Sequence, residues 1–206
     1  APGPVYLSVG DKERLLAAHA ALKARRFPSA VSLISLVQDP IARGLGEWMY
    51  FMAEDPAVDF TVADTFLDAN PDWPARYRIS AWIEKKIPDS APADQVLAFF
   101  DSREPVTGYG KLQLARALFT VGDVNGGERQ LRDAWINDNF TLSEERRVLS
   151  NYGGRLTEED HAARVDRLLW SRQVTNARRV FSYLDSDDRK MAETRAALLL
   201  QASSAQ

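Results

Sequence analysis

The residues in this chain that could carry chemistry are few and widely spaced. Histidine occurs only at His19 and His161, and cysteine is absent. Thiolate nucleophiles, disulfides and cysteine-bearing zinc sites are therefore excluded, and no His-Glu-x-x-His spacing joins the two histidines. His19 shares a helical face with Leu15 and Leu22 and reads as a packed or partly exposed side chain. His161 follows Asp160 in a first helical turn and reads as a local structural residue. Gly108-Tyr109-Gly110-Lys111 is glycine-rich but lacks phosphate-loop spacing, and Gln113 stands where a dinucleotide fingerprint needs its third glycine. This stretch reads as a helix entry capped by Thr107. Asp185, Asp187 and Asp188 have calcium-ligand chemistry, yet Arg189 and Lys190 fill the positions where an EF-hand needs an oxygen donor and a glycine. Asp187 instead reads as an N-cap or an early-helix anion.

Cleavage of a glycosidic bond requires a carboxylic acid of raised pKa in an apolar pocket, often with a second carboxylate. The pairs Glu144-Glu145 and Glu158-Glu159 read as exposed first-turn glutamates, which supply neither. No Gly-x-Ser-x-Gly elbow is present. The basic pairs Arg25-Arg26, Lys85-Lys86, Arg146-Arg147 and Arg178-Arg179 read as solvated faces. Trp48, Trp73, Trp82, Trp135 and Trp170 could stack on sugars where exposed, but their helical spacing among Leu and Phe reads as core. No catalytic, cofactor-binding or metal-binding residue is assigned, and no cofactor is implied. A formal net charge of −3 gives no electrostatic footprint for nucleic acid.

The elements that would position these residues are helices. Alanine, leucine and arginine are abundant, and β-branched runs are limited to dipeptide steps such as Thr61-Val62. Prolines 28, 40, 56, 71, 74, 88, 92 and 105 punctuate the first half, and Gly or Asn/Asp turns at 122–127, 151–154 and 185–187 punctuate the rest. Between the breaks the sequence predicts helix pairs at 11–25 with 28–37, 41–53 with 59–67, and 74–85 with 93–100. The later pairs are 107–121 with 124–136, 143–150 with 157–170, and 174–184 with 187–201. Pair starts recur every ~30–36 residues, the range of two-helix solenoid repeats. The helix over 157–170 carries an apolar stripe of Ala162, Val165, Leu168 and Leu169 opposite a polar face of Glu158, Glu159, Arg164 and Arg167. Thr157 and Asp160 fit a capping box. The helix over 107–121 is apolar on more than one face, as the inner member of a stacked pair would be. Tyr109, Leu112, Ala115, Leu118, Gly122, Gly127, Leu131 and Ala134 together fit a tetratricopeptide-like hairpin. The expected fold is all-α: one domain over 1–206, a right-handed superhelix of about six antiparallel helix pairs. No apolar run approaches the roughly 18 residues needed to span a bilayer.

From Thr107 to Leu200 the chain resembles the α-superhelical region of soluble lytic transglycosylases. The resemblance runs through Gly108–Leu112, Leu114–Leu118, Gly122-Asp123, Leu131–Trp135 and Leu142-Ser143. It is closest at Tyr152-Gly153, Leu156-Thr157, Asp160-His161, Arg164 and Asp166–Trp170, and extends to Ala177, Arg189, Ala192 and Ala196. The residues before Phe66 are far less distinctive. In that family, the resemblance implies, such a superhelix precedes a lysozyme-like domain that cleaves peptidoglycan between N-acetylmuramic acid and N-acetylglucosamine and leaves an anhydro end. Its glutamate, usually in a Glu-Ser context, acts as both acid and base.

No Glu-Ser dipeptide occurs in this sequence, so no catalytic residue carries over. The resemblance thus implies a non-catalytic scaffold in the periplasm that contacts peptidoglycan glycan strands or a cell-wall protein. An uncapped helix-pair face would favour self-association. The alternative is a free-standing helical-repeat adaptor for another protein.

Overall fold

The computed structural model describes residues 7–204, and the described chain is helical with no strand. Its twelve α-helices are α1 (Val9–Lys23), α2 (Phe27–Ser35), α3 (Pro40–Met52), α4 (Phe60–Ala69), α5 (Arg76–Glu84), α6 (Ala93–Phe100), α7 (Gly108–Thr120), α8 (Val124–Asn137), α9 (Leu142–Tyr152), α10 (Glu158–Trp170), α11 (Val174–Arg178) and α12 (Ser186–Ser204). Each falls in a segment predicted helical. The one segment that differs is 174–184, where α11 stops at Arg178 and a 3-10 turn follows at Phe181–Tyr183. Val174, Ala177 and Val180 are all buried and lie three residues apart. That spacing suits the tighter winding of a 3-10 helix better than 3.6 residues per turn.

Helix starts follow from side-chain chemistry. Ser8, Asp39, Asp59, Thr107, Asp123, Thr141 and Thr157 each accept a hydrogen bond from a first-turn amide. Thr141 with Glu144, and Thr157 with Asp160, form full capping boxes. At α12 it is Asp185 that accepts from the Asp187 and Asp188 amides, both at 2.8 Å, while Asp187 sits in the first turn as an anion.

The chain forms two compact units. The first comprises the residues up to Ala91 together with Ala98–Val106. Within it α1, α2 and α3 pack on one another, and Gly46 lets α3 approach closely, since a Cβ there would lie 3.0 Å from Ile34. Asp11, buried in α1, ties this group together. Its carboxylate accepts from the Gln38 and Asp39 amides at 3.0 and 3.1 Å and pairs with Arg14 at 2.9 Å. The Gln38 amide above all holds that carboxyl below its usual range.

The second unit comprises 92–97 and the residues from Thr107 onward. Its core runs through Leu112, Ala115, Leu131, Trp135, Val165 and Leu168. The α7–α8 hairpin turns at Gly122, whose φ of 86° favours glycine. Gly127 admits the close approach of the two helices: a Cβ there would lie 2.5 Å from the Phe119 ring. Leu112, Leu114, Ala115 and Ala117 are all buried, so α7 is indeed enclosed on more than one side.

Candidate functional site

Two places in the molecule gather functional side chains, one in each unit. In the second unit the stretch that carries the family resemblance becomes a polar junction. Arg164 is completely buried in α10, not on a solvated face as its charge suggested. Its guanidinium lies 4.3 Å from the Trp135 ring and 5.3 Å from that of Phe140. Nη1 donates to the Trp135 carbonyl and, at 3.0 Å, to that of Asp138, while Nη2 donates to Glu145 at 3.0 Å. Arg167 adds bonds to the carbonyls of Ile136 at 2.5 Å and Asp138 at 3.0 Å. The acceptors at Trp135, Ile136 and Asp138 are the orphan carbonyls at the C-terminal end of α8 and just beyond it, so two arginines of α10 cap another helix.

Glu145 corrects a second expectation. It is buried, and its carboxylate is held between Arg164 and the Arg179 Nε at 2.9 Å. Both of its oxygens are taken up by protein cations. Arg179 likewise leaves the solvated class of basic pairs. Desolvation lowers the Arg164 pKa, an effect opposed by Glu145.

His161 is buried edge-on against Trp135 and stacked on Tyr183 with ring centroids 4.8 Å apart. Burial lowers its pKa, Asp160 pulls it back up and Arg164 lowers it further, and the result favours the neutral ring. The ring therefore packs as a core side chain of α10. His19, by contrast, is exposed on α1. Among the tryptophans, Trp135 is fully buried and Trp48, Trp73 and Trp82 are partly so, but Trp170 is 84% exposed. The reason is angular. His161, Arg164, Val165 and Leu168 form the buried stripe of α10, and Trp170 lies nine residues after His161, two and a half turns round to the opposite face. Thr107 accepts from the Gly110 amide at 2.9 Å, so the glycine-rich stretch is the helix entry expected.

In the first unit a cavity of 320 Å³ opens between α2, α3 and α4. Its walls are apolar and aromatic: Ile34 from α2, Tyr50 and Phe51 from α3, and Val62 and Phe66 from α4. One charged group, Glu47 of α3, lines it. Desolvation raises the Glu47 pKa, and Arg43 only partly counters that effect. The Tyr50 hydroxyl donates to Asp55 at 2.9 Å, and its pKa is pushed up to about 12 by burial and by that carboxylate. The sequence reading did not single out Glu47. Its signal was the one acid of α3, four residues after Arg43 and among Leu45, Trp48 and Phe51.

Among the described residues no group of three or more His, Asp and Glu side chains could hold a metal ion. No described helix is long and apolar enough to cross a membrane. No protein-family model matches the chain, and no curated protein or solved structure matches it significantly.

Proposed function

We propose that this chain is the non-catalytic helical scaffold of a peptidoglycan lytic transglycosylase, working in the periplasm and contacting glycan strands or a cell-wall protein. In this reading its helix pairs stack as a right-handed, tetratricopeptide-like superhelix. One observation carries it. The side chains that bear the resemblance are used in architecture: Thr157 and Asp160 cap α10, His161, Leu168 and Leu169 fill the core, and Arg164 caps α8. Trp170 is the large aromatic among them that stands out in solvent, where an indole face can stack on a sugar ring.

Incubation with purified peptidoglycan tests the first half of the reading. The expected result is no release of anhydro-muropeptides, and robust release by this chain alone would overturn it. Co-sedimentation with peptidoglycan tests the second half, with Trp170→Ala expected to reduce the bound fraction several-fold. Equal retention of the variant would remove Trp170 from the interface.

The runner-up, a free-standing helical adaptor, is favoured by the last helix. α12 buries Ala192 and Ala196 but leaves Met191 and Leu198, seven residues apart, on one exposed stripe. Such a stripe suits a protein partner or a second copy. A lysozyme-like domain encoded in frame with the scaffold would favour the first reading over this one. Light scattering across concentration reads self-association directly, and a strictly monomeric chain counts against it.

A further inference from the structure

The cavity in the first unit has the attributes of a small-molecule site. Its 320 Å³ lies within the range of about 300–1,000 Å³ typical of ligand pockets. The walls are mostly hydrophobic, with Ser35, Thr65 and Glu47 among the polar residues that line it. Two exposed valines, Val31 and Val62, flank it from α2 and α4.

The carboxylate narrows the ligand class. Elsewhere the buried acids have partners: Asp11 takes two amides and Arg14, Asp55 takes Tyr50 and the Ala57 amide, and Asp160 takes Arg132. Among the described residues Glu47 has no hydrogen bond or ion pair. The nearest compensating cation, Arg43, donates its Nε to the Val37 carbonyl at 3.0 Å. A carboxylate drawn partly out of water without a donor is costly, and a cation brought into the cavity would relieve that cost. An anionic ligand would be repelled. A wholly apolar one would desolvate Glu47 further.

We propose that this cavity binds a small amphipathic amine, its aryl or alkyl body among Ile34, Phe51 and Phe66 and its ammonium group on the Glu47 carboxylate. Tyr50 serves as a fixed wall, since its hydroxyl is already engaged by Asp55. This site is separate from the scaffold role and stands or falls independently of it.

The test uses three probes of one shape, phenylpropylamine, phenylpropanol and phenylpropanoate, titrated into the full chain and followed by backbone amide NMR shifts. The amine is expected to saturate in the millimolar range or below, with shifts confined to α2, α3 and α4. It should bind at least about tenfold tighter than the alcohol at low salt, an advantage that shrinks as salt is added. The propanoate should bind weakest. Glu47→Gln should erase the preference for amine over alcohol while leaving alcohol binding in place, which also shows that the variant is folded. Val62→Trp should block all three by filling the mouth. Equal affinity for amine and alcohol, or no saturation by the amine, overturns the proposal. So does an amine preference that survives Glu47→Gln. Binding of a lysine-bearing amphipathic peptide without binding of the free amine would make the cavity a protein-docking groove and would likewise overturn it.

Discussion

Glu145 and Glu47 are both glutamates on helix faces turned toward apolar neighbours, and the two units of the molecule treat them in opposite ways. In the second unit Glu145 meets two guanidinium groups, at 3.0 and 2.9 Å, on a buried floor of Trp135 and Phe140. In the first unit Glu47 lines a cavity without an ion pair, eased only at a distance by Arg43 on the same helix. An answered buried charge holds a structure together, because removing either partner strands the other. An unanswered one works against the unliganded fold and favours whatever cation can reach it. The two carboxylates therefore differ in the sign of their effect on stability, and that sign can be measured.

The largest effect is expected at Arg164. Replacing it with Met leaves the buried Glu145 with Arg179 as its one remaining cation and the Trp135 carbonyl without its side-chain donor, and should destabilise the second unit by about 3–5 kcal/mol. Denaturant unfolding measures the size, and amide hydrogen exchange should place the loss in α8 and α10. Adding Glu145→Leu should restore part of it, since a buried charge left with only one of its two cations goes but the lost caps remain. A single Arg164→Met variant as stable as the native chain would break the contrast at its stronger end.

The sequence made the helices legible and the charges illegible, for related reasons. Boundaries are written in local chemistry: Thr107, Asp123, Thr141 and Thr157 announce helix starts, and Gly122 a hairpin turn. Burial depends on which face meets a neighbour, and composition hides this when a charge sits on the inner face. Arg164 was grouped with Glu158 and Glu159 as polar. Yet it lies three residues after His161 and four before Leu168, squarely within the buried stripe. Glu145 stands in the same relation to Val148, Leu149 and Tyr152. Spacing alone would have placed both inside. Trp170 is the converse case, a large aromatic whose spacing puts it outside despite its type. Glu47 was missed because one acid among apolar neighbours on α3 does not reveal that three helices leave a cavity beside it.

A middle-sized effect tests whether the second unit owes its close packing to backbone approach as well as to charge. Gly127→Val places a branched side chain where even a Cβ meets the Phe119 ring at 2.5 Å, and Phe119 is pinned by Tyr152 and Arg155. The expected loss is about 1–3 kcal/mol from overpacking. Gly127→Ala should lose less, because better helix propensity offsets part of the clash. Thermal unfolding of both variants ranks them, and equal stability of Val and Gly at this position would show that the hairpin has slack.

The smallest effect has the opposite sign. Glu47→Gln keeps the shape of the cavity and removes the ionisable group, so it should raise the melting temperature slightly at neutral pH. Because burial lifts the folded-state pKa of Glu47 above its ordinary value of 4.5, the native protein is fully favoured only below that value. It loses stability as pH rises through the elevated pKa. The advantage of Glu47→Gln should therefore be present at pH 7, shrink as the pH falls, and vanish below 4.5. Melting curves of native and variant chains across that window measure it. Adding phenylpropylamine at pH 7 should reverse the order, stabilising the native chain and leaving the variant behind. A native chain more stable than the variant at pH 7 without ligand would mean that Glu47 is answered after all, and the two carboxylates would then be alike.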